Sequence, residues 1–162
     1  MESDYRIYVG IDWASEAHRA CVLDRERIIV AERSFAHAGN AVAEFAQWLR
    51  ELAADSQQVA IAIEVPRGAI VETLVERGFH VYAINPKQLD RFRDRYSVSG
   101  AKDDRRDAFV LADSLRTDQP CFRRVSLEDP LVIQLRELSR VDEELQRESN
   151  QLANRLREQL HR

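Results

Sequence analysis

The stretch from residue 59 to 65, VAIAIEV, constrains the fold most, because it is continuously apolar apart from one glutamate, Glu64. A strand of this kind is buried on both faces, as in a parallel sheet covered by helices, and the following Pro66 ends its hydrogen-bonding ladder. Residues 68–77 are predicted as a helix and 79–84 as the next strand, which completes a βαβ unit. Glu64 is therefore expected at the carboxyl edge of a buried strand.

The first third of the chain is predicted to be mainly strand. Alternating apolar and polar residues place three short strands at residues 5–12, 19–23 and 27–35. A helix over about residues 40–52 follows, with Asn40 as its N-cap. An antiparallel opening followed by a βαβ unit predicts an α/β fold with a mixed sheet and helices on it, in which Asp12 and Glu64 lie at the same sheet end.

Four acidic residues stand where a shared metal site would need them. Asp12 and Glu64 each close an apolar strand, and Asp104 and Asp107 share one face of a helix predicted over residues 103–115. Such carboxylates repel one another unless a hard divalent cation lies between them. The pattern indicates metal-assisted attack on a phosphodiester. The simpler explanation is that an acid at a strand end is a turn residue and that acids at a helix start favour the helix dipole.

A local basic strip follows the second predicted βαβ strand, although the whole chain has a net charge of -4. Its members are Lys87, Arg91, Arg93, Arg95, Lys102, Arg105 and Arg106. They form either a solvated face or a set of phosphate contacts, and their position beside the acids favours binding of nucleic acid.

The last part of the chain has a heptad pattern. Leucines recur at residues 131, 138, 145 and 152, while a second row at 135 and 156 is interrupted by Asp142 and Ser149. Two interpretations remain open: an amphipathic helix folded onto the domain, or a protruding coiled coil that makes a homo-oligomer. Pro120 and Pro130 mark the boundary, so we predict a catalytic domain at 1–124 and the start of a coiled-coil helix at 125–162.

Cysteine usage and hydropathy indicate the compartment. Cys21 and Cys121 lack ligand spacing, which indicates reducing surroundings and no structural zinc. No apolar run approaches the ~18 residues of a membrane span, so a cytoplasmic protein without membrane contact is expected.

Several motifs, in this order, resemble one protein family. They are GIDWAS, IEVP, INP, the K-x-D-x-x-DA pattern at 102–108, and LRELSR followed by NRLR. These motifs look like those of the DEDD transposases of bacterial insertion sequences, a family that includes the pilin-gene invertase relatives. The resemblance implies a ribonuclease H-like fold, similar to the RuvC Holliday-junction resolvase, followed by a long coiled-coil helix.

The same resemblance implies a function in a bacterial cytoplasm. It implies a DNA transposase or site-specific recombinase whose Asp12, Glu64, Asp104 and Asp107 bind two Mg²⁺ ions, with Mn²⁺ as an alternative, for metal-dependent strand cleavage and exchange. Members of the family also have a catalytic serine in a second domain beyond the coiled coil, and several are guided by a structured RNA. Because this chain ends at Arg162, before such a domain, it is not expected to complete recombination alone.

The chain departs from the family pattern in two places. Asp103 stands where Thr or Asn is common, which leaves Asp103 as an alternative to Asp104 for facing the metal. Residues 66–68 stand where a Thr-Gly pair is common. Two other functions remain open: a stand-alone Holliday-junction endonuclease, and a non-catalytic dimerising module that binds nucleic acid. A sugar-kinase or actin-like ATPase ranks last, because no later glycine-rich phosphate loop follows the first strand.

Overall fold

A computed structural model describes residues 5–14, 16–64, 68–96, 104–127 and 130–160. Within the helices it leaves out the side chains of residues 104, 105, 130–133, 135, 136, 140 and 160. The chain forms two compact units, Met1–Leu127 and Glu128–Arg162.

The first unit contains a mixed sheet of six strands in the order β3-β2-β1-β4-β5-β6. The strands are β1 Ile7–Asp12, β2 Ala17–Asp24, β3 Ile29–Ala36, β4 Val59–Ile63, β5 His80–Ala83 and β6 Arg123–Arg124. Strands β1, β2 and β3 pair antiparallel, whereas β1, β4 and β5 pair parallel and β6 runs antiparallel to β5. The predicted mixed sheet and its βαβ unit are confirmed.

Three helices of the first unit lie close to the positions predicted at 40–52, 68–77 and 103–115. The helices of the chain are α1 Gly39–Ala53, α2 Ala69–Glu76, α3 Pro86–Asp94, α4 Asp104–Thr117 and α5 Pro130–Leu160, with single 3₁₀ turns at Ser56–Gln58 and Gln119–Cys121. Asn85 caps α3 by accepting a hydrogen bond from the amide of Lys87. Gly78 follows α2 with a φ of +88°, a conformation that glycine adopts without strain.

Two details of the prediction are wrong. Asn40 is not the N-cap of α1, because the helix begins at Gly39, with Ala38 as N-cap and no side-chain capping bond. The chain turns at the end of β3, where the amide of Ala38 bonds the carbonyl of Ala36, and the carbonyl of Ala38 then accepts the first helical bond from Val42. Strand β6 was not predicted, since two exposed arginines carry no alternating pattern.

Helices pack on both faces of the sheet. One face buries Val9, Ile11 and Ile61 against residues of α1 and α2. The other buries Tyr8, Ala60, Ala62 and Tyr82 against residues of α3 and α4. Every residue of β4 is buried, as the continuous apolar run predicted.

Helix α4 lies directly on β1, because Gly10 has no side chain there. A Cβ at Gly10 would overlap the carbonyl oxygen of Ala108 and would lie 2.6 Å from the amide nitrogen of Ala112. At its other end α4 contacts the turn between β2 and β3, where Arg27 pairs with Asp113 at 3.0 Å. That turn is level with the start of β1. The amino end of α4 therefore points toward the end of β1, at Asp12.

The second unit is a helix of 31 residues, α5. Its described large apolar side chains are exposed: Leu138 66%, Val141 51%, Leu145 59%, Leu152 58% and Leu156 60%. The predicted helix is confirmed, and the coiled coil remains a prediction. No helix in the described part of the chain combines the length and apolar character that crossing a membrane requires.

Candidate active site at one edge of the sheet

Asp12 and Glu64 stand side by side at one edge of the sheet. Ile11 of β1 and Ile63 of β4 are register partners in a parallel pair of strands. The residues that follow them are Asp12 and Glu64. Side chains alternate along a strand, and Gly10 and Ala62 face the side of the sheet that α3 and α4 cover. Asp12 and Glu64, two residues further on, follow the same side, and both are half-buried.

Asp107 reaches this face from α4, but its carboxylate already has a cationic partner. It precedes Ala108, the residue packed on Gly10. Arg93 of α3 donates from Nε to Oδ1 of Asp107 at 2.9 Å and from Nη2 to Oδ2 at 3.0 Å. The Nη1 of Arg93 also donates to Asp90 at 2.6 Å. Burial lowers the pKa of Arg93, but the bonds to Asp107 and Asp90 outweigh burial and raise it overall, so the guanidinium remains charged.

The structure describes only part of the remaining predicted ligands, Asp104 and its alternative Asp103. Helix α4 begins at Asp104, whose side chain is outside the description, and Asp103 lies outside the described residues altogether. The choice between Asp103 and Asp104 therefore stays as the sequence left it. Among the residues that the structure describes, no three His, Cys, Asp or Glu side chains form a group that could hold a metal ion.

The donor chemistry nevertheless fits a hard divalent cation. Mg²⁺ is bound in proteins mainly through carboxylate oxygens and water. Asp12 and Glu64 place two carboxylates on neighbouring strand ends and on one side of the sheet. Asp107 would add a third carboxylate if a cation replaced Arg93 as its partner. Asp12 and Glu64 therefore fit a divalent cation as they stand, whereas Asp107 fits one only after Arg93 has released it.

The basic strip is divided between exposed cations and cations that already have a partner. Lys87 and Arg91 are exposed on α3. Arg95 pairs with Asp118 at 2.8 Å, and Arg106 donates to the carbonyl of Tyr96. Arg93 is paired with Asp107, and Lys102 and the side chain of Arg105 lie outside the description. Thus Lys87 and Arg91 are the described members most accessible to a phosphate.

A cleft of about 340 Å³ opens beside Glu64. Its polar lining comes from Glu64, Asn85, Gln88 and Arg123, and Ile84 and Pro86 contribute apolar wall. Sequence patterns did not single out Asn85, Gln88 or Arg123 as site residues. The adjacent basic pair at 123–124 was the available signal, but only the pairing of β6 with β5 brings it beside Glu64.

The segment after Asp12 is held by a pair of histidines. His18 is buried, and its Nδ1 accepts a hydrogen bond from the amide of Ala14 at 3.2 Å. Its Nε2 must then carry the proton and donate to Nδ1 of His37, at 2.9 Å. The ring of Trp13 lies 4.4 Å from that of His18. Burial, and after it the charge of His37, lowers the pKa of His18. No sequence pattern indicated this pair.

Comparison with known proteins adds a family. The model of the IS110-type DEDD transposase family, described as transposase, matches residues 9–162. Two relatives have the word transposase in their names: y4uE of Sinorhizobium fredii (strain NGR234) and the mini-circle protein for IS117 of Streptomyces coelicolor. The chain is 52% identical to the first over 164 residues and 32% identical to the second over 160.

The two relatives are longer than this chain. Their alignments cover 100% and 96% of the chain, but only 46% and 38% of the relatives. The chain thus spans less than half the length of either relative.

Proposed function

This chain belongs to the IS110-type DEDD transposase family, and from that premise we propose that it is the amino-terminal catalytic part of a DNA transposase. Its reaction is metal-dependent cleavage and exchange of DNA strands. The catalytic domain, residues 1–124, has a ribonuclease H-like fold of the RuvC type, and residues 125–162 start a coiled-coil helix.

One observation carries the proposal: Asp12 and Glu64 end neighbouring parallel strands on the side of the sheet that α4 covers. The close packing of Ala108 on Gly10 then brings Asp107 toward the same edge. In this proposal, acids that are far apart in the chain converge on one cation site. A set of unrelated turn residues would have no reason to share one face and one edge.

In this proposal Asp12, Glu64, Asp104 and Asp107 hold Mg²⁺, with Mn²⁺ as an alternative. When bound, the cations supply charge stabilisation at the scissile phosphate and activation of the attacking hydroxyl. Lys87 and Arg91 bind the DNA backbone as exposed cations, which gives affinity without sequence preference.

The immediate surroundings of the acids orient the site. His18 holds the amide of Ala14 and thereby fixes the chain just after Asp12. The cleft beside Glu64 offers Arg123 to a second phosphate of the same strand. In the longer family protein, a serine of a second domain is the proposed nucleophile and a guide RNA the proposed source of target choice.

The helix α5 supplies the proposed contact between copies. Leu138, Leu145 and Leu152 recur every seven residues and are exposed in the single chain. Exposed leucines in a heptad row are buried when helices pair, which is the basis of coiled-coil assembly. We therefore propose a homo-oligomer formed through α5.

A non-catalytic module that binds nucleic acid is the second candidate. The observation that favours it is the ion pair between Arg93 and Asp107, which uses both oxygens of one proposed ligand. If that pair were permanent, the site would lack one of its four acids. DNA binding that survives replacement of all four acids, together with no binding of a divalent cation, would support this candidate.

Calorimetric titration of the chain with Mn²⁺ tests the catalytic proposal. We expect binding by the wild type and its loss in Asp12→Ala and Glu64→Gln. The matched control is Glu44→Ala, which removes an exposed acid from α1, and it should bind as the wild type does. Unchanged binding in Asp12→Ala, with a normal thermal transition, would remove Asp12 from the site and contradict the proposal.

A further inference from the structure

We propose that Arg93 is a positioning residue. Its guanidinium binds the carboxylate of Asp107 while no divalent cation is present, and it releases that carboxylate when a divalent cation binds. The inference rests on the proposed function, because it needs Asp107 to be a ligand. It adds a residue and an order of events: the ion pair between Arg93 and Asp107 must open before Asp107 can join Asp12 and Glu64.

The geometry of the ion pair supports this role. Arg93 presents two parallel N–H groups to the two oxygens of Asp107, at 2.9 Å and 3.0 Å. A guanidinium in this two-bond arrangement neutralises a carboxylate and fixes its orientation. The side chain of Asp107 is only 14% exposed, so solvent reaches it poorly. A cation that approaches Asp107 therefore meets a carboxylate already occupied by a positive charge.

A second acid shows where Arg93 can remain when it leaves Asp107. Asp90, one turn earlier on α3, accepts from Nη1 of Arg93 at 2.6 Å, and its side chain is 69% exposed. The guanidinium thus has a fallback partner on its own helix and needs no large movement. After exchange it would lie at the rim of the site as a cation that a DNA phosphate can pair with.

Electrostatics favours the exchange. Two positive charges cannot share one carboxylate without repelling each other across a few ångströms. Because both side chains of the ion pair are largely withdrawn from water, desolvation offsets much of their attraction, whereas a divalent cation gains from several carboxylates at once. The pair is therefore strong enough to keep Asp107 oriented in the metal-free chain and weak enough for the cation to replace it.

The test is calorimetric titration of the full chain with Mn²⁺, comparing the wild type with Arg93→Gln. Removing the competing guanidinium should lower the dissociation constant about three- to tenfold. Arg95→Gln is the matched control, because it removes the same charge two residues away from a pair with Asp118. Arg95→Gln should change the dissociation constant for Mn²⁺ less than about twofold, because salt screens the effect of a distant surface charge.

Two further variants keep the result interpretable. Arg93→Lys keeps the charge but loses the two-bond fork, so its affinity should lie between those of the wild type and Arg93→Gln. In an Asp107→Asn background, Arg93→Gln should bring no gain beyond that of Arg95→Gln, because the ligand that Arg93 blocks is gone. Thermal unfolding of each variant verifies that the fold is intact.

The outcomes separate this inference from the proposed function. If the wild type binds Mn²⁺ through Asp12 and Arg93→Gln binds no more tightly, the role of Arg93 is overturned and the metal site stands. If neither the wild type nor Arg93→Gln binds Mn²⁺, the metal site is overturned and the role of Arg93 falls with it. Binding by Arg93→Gln but not by the wild type would mean that Arg93 never releases Asp107, which would overturn the exchange.

Discussion

The main-chain carbonyl of Ala108 packs against Gly10 so closely that there is no room for a Cβ. This contact seats α4 on β1, and Asp107 is the residue just before it. Two positions along β1 from Gly10, the strand ends at Asp12. One glycine thus sets the separation between the strand and the helix that carry the proposed site.

Replacing that glycine tests how much of the fold depends on the contact. Gly10→Ala places a methyl group against the backbone of α4, which cannot give way as a flexible side chain can, so we expect a loss of about 3 kcal/mol or more in the free energy of unfolding. Urea denaturation measures it. The control is Gly39→Ala, where a Cβ meets nothing within 4 Å, and there the free energy should stay within about 1 kcal/mol. Equal stabilities of the two variants would contradict the contact.

The histidine pair predicts a dependence of stability on pH. The pKa of His18 is lowered in the folded chain, so the unfolded chain binds more protons below the ordinary histidine pKa of about 6.5. The free energy of unfolding should therefore be highest above that value and fall as the pH decreases through the folded pKa of His18. His18→Gln removes this titration, and its stability should fall less between about pH 7.5 and 5.5.

A second histidine is the comparison for that experiment. Burial, and after it the charge of Arg124, lowers the pKa of His80, which is hydrogen-bonded to Tyr5 at 2.6 Å. His80→Gln should also flatten the pH profile, and the double variant should flatten it further. Chemical denaturation at several pH values measures each slope. If His18→Gln and the wild type had the same slope, His18 would not be the titrating group.

The exposed leucines of α5 predict self-association. Replacing Leu138, Leu145 and Leu152 by Ser should shift the chain toward monomer, because the heptad row would lose its apolar contact surface. Analytical ultracentrifugation over a concentration series measures the change. The matched control makes the same replacement by Ser at Glu143, Asn150 and Arg157, which lie on another face of the helix. This control should leave the oligomer intact. A wild type that stays monomeric at every concentration would rule out assembly through α5.

Much of the architecture was predictable because its signals are local. The continuous apolar run before Glu64 indicated a strand buried on both faces, and β4 is buried throughout. The alternation that ends at Asp12 indicated a neighbouring strand, and the sheet pairs the two in parallel. The spacing of apolar residues differs between a helix and a strand, so it can be recognised in the sequence without knowledge of the tertiary structure.

The partners of individual side chains were not predictable in this way. Asp107 and Arg93 were assigned separately, one to metal and one to DNA, yet they bind each other. Arg123 had no periodic signal, and only pairing with Ala83 brings it to the cleft beside Glu64. The contact of His18 with His37 likewise joins β2 to the turn that follows β3.

The sequence by itself determined the family, most of the strands and helices, and that Asp12 and Glu64 lie at the ends of neighbouring strands. Tertiary structure alone decided that α4 lies on Gly10 and that Asp107 is held by Arg93. The physical reason is that hydrophobic periodicity is a property of neighbouring residues, whereas an ion pair depends on how two separate helices pack on the sheet.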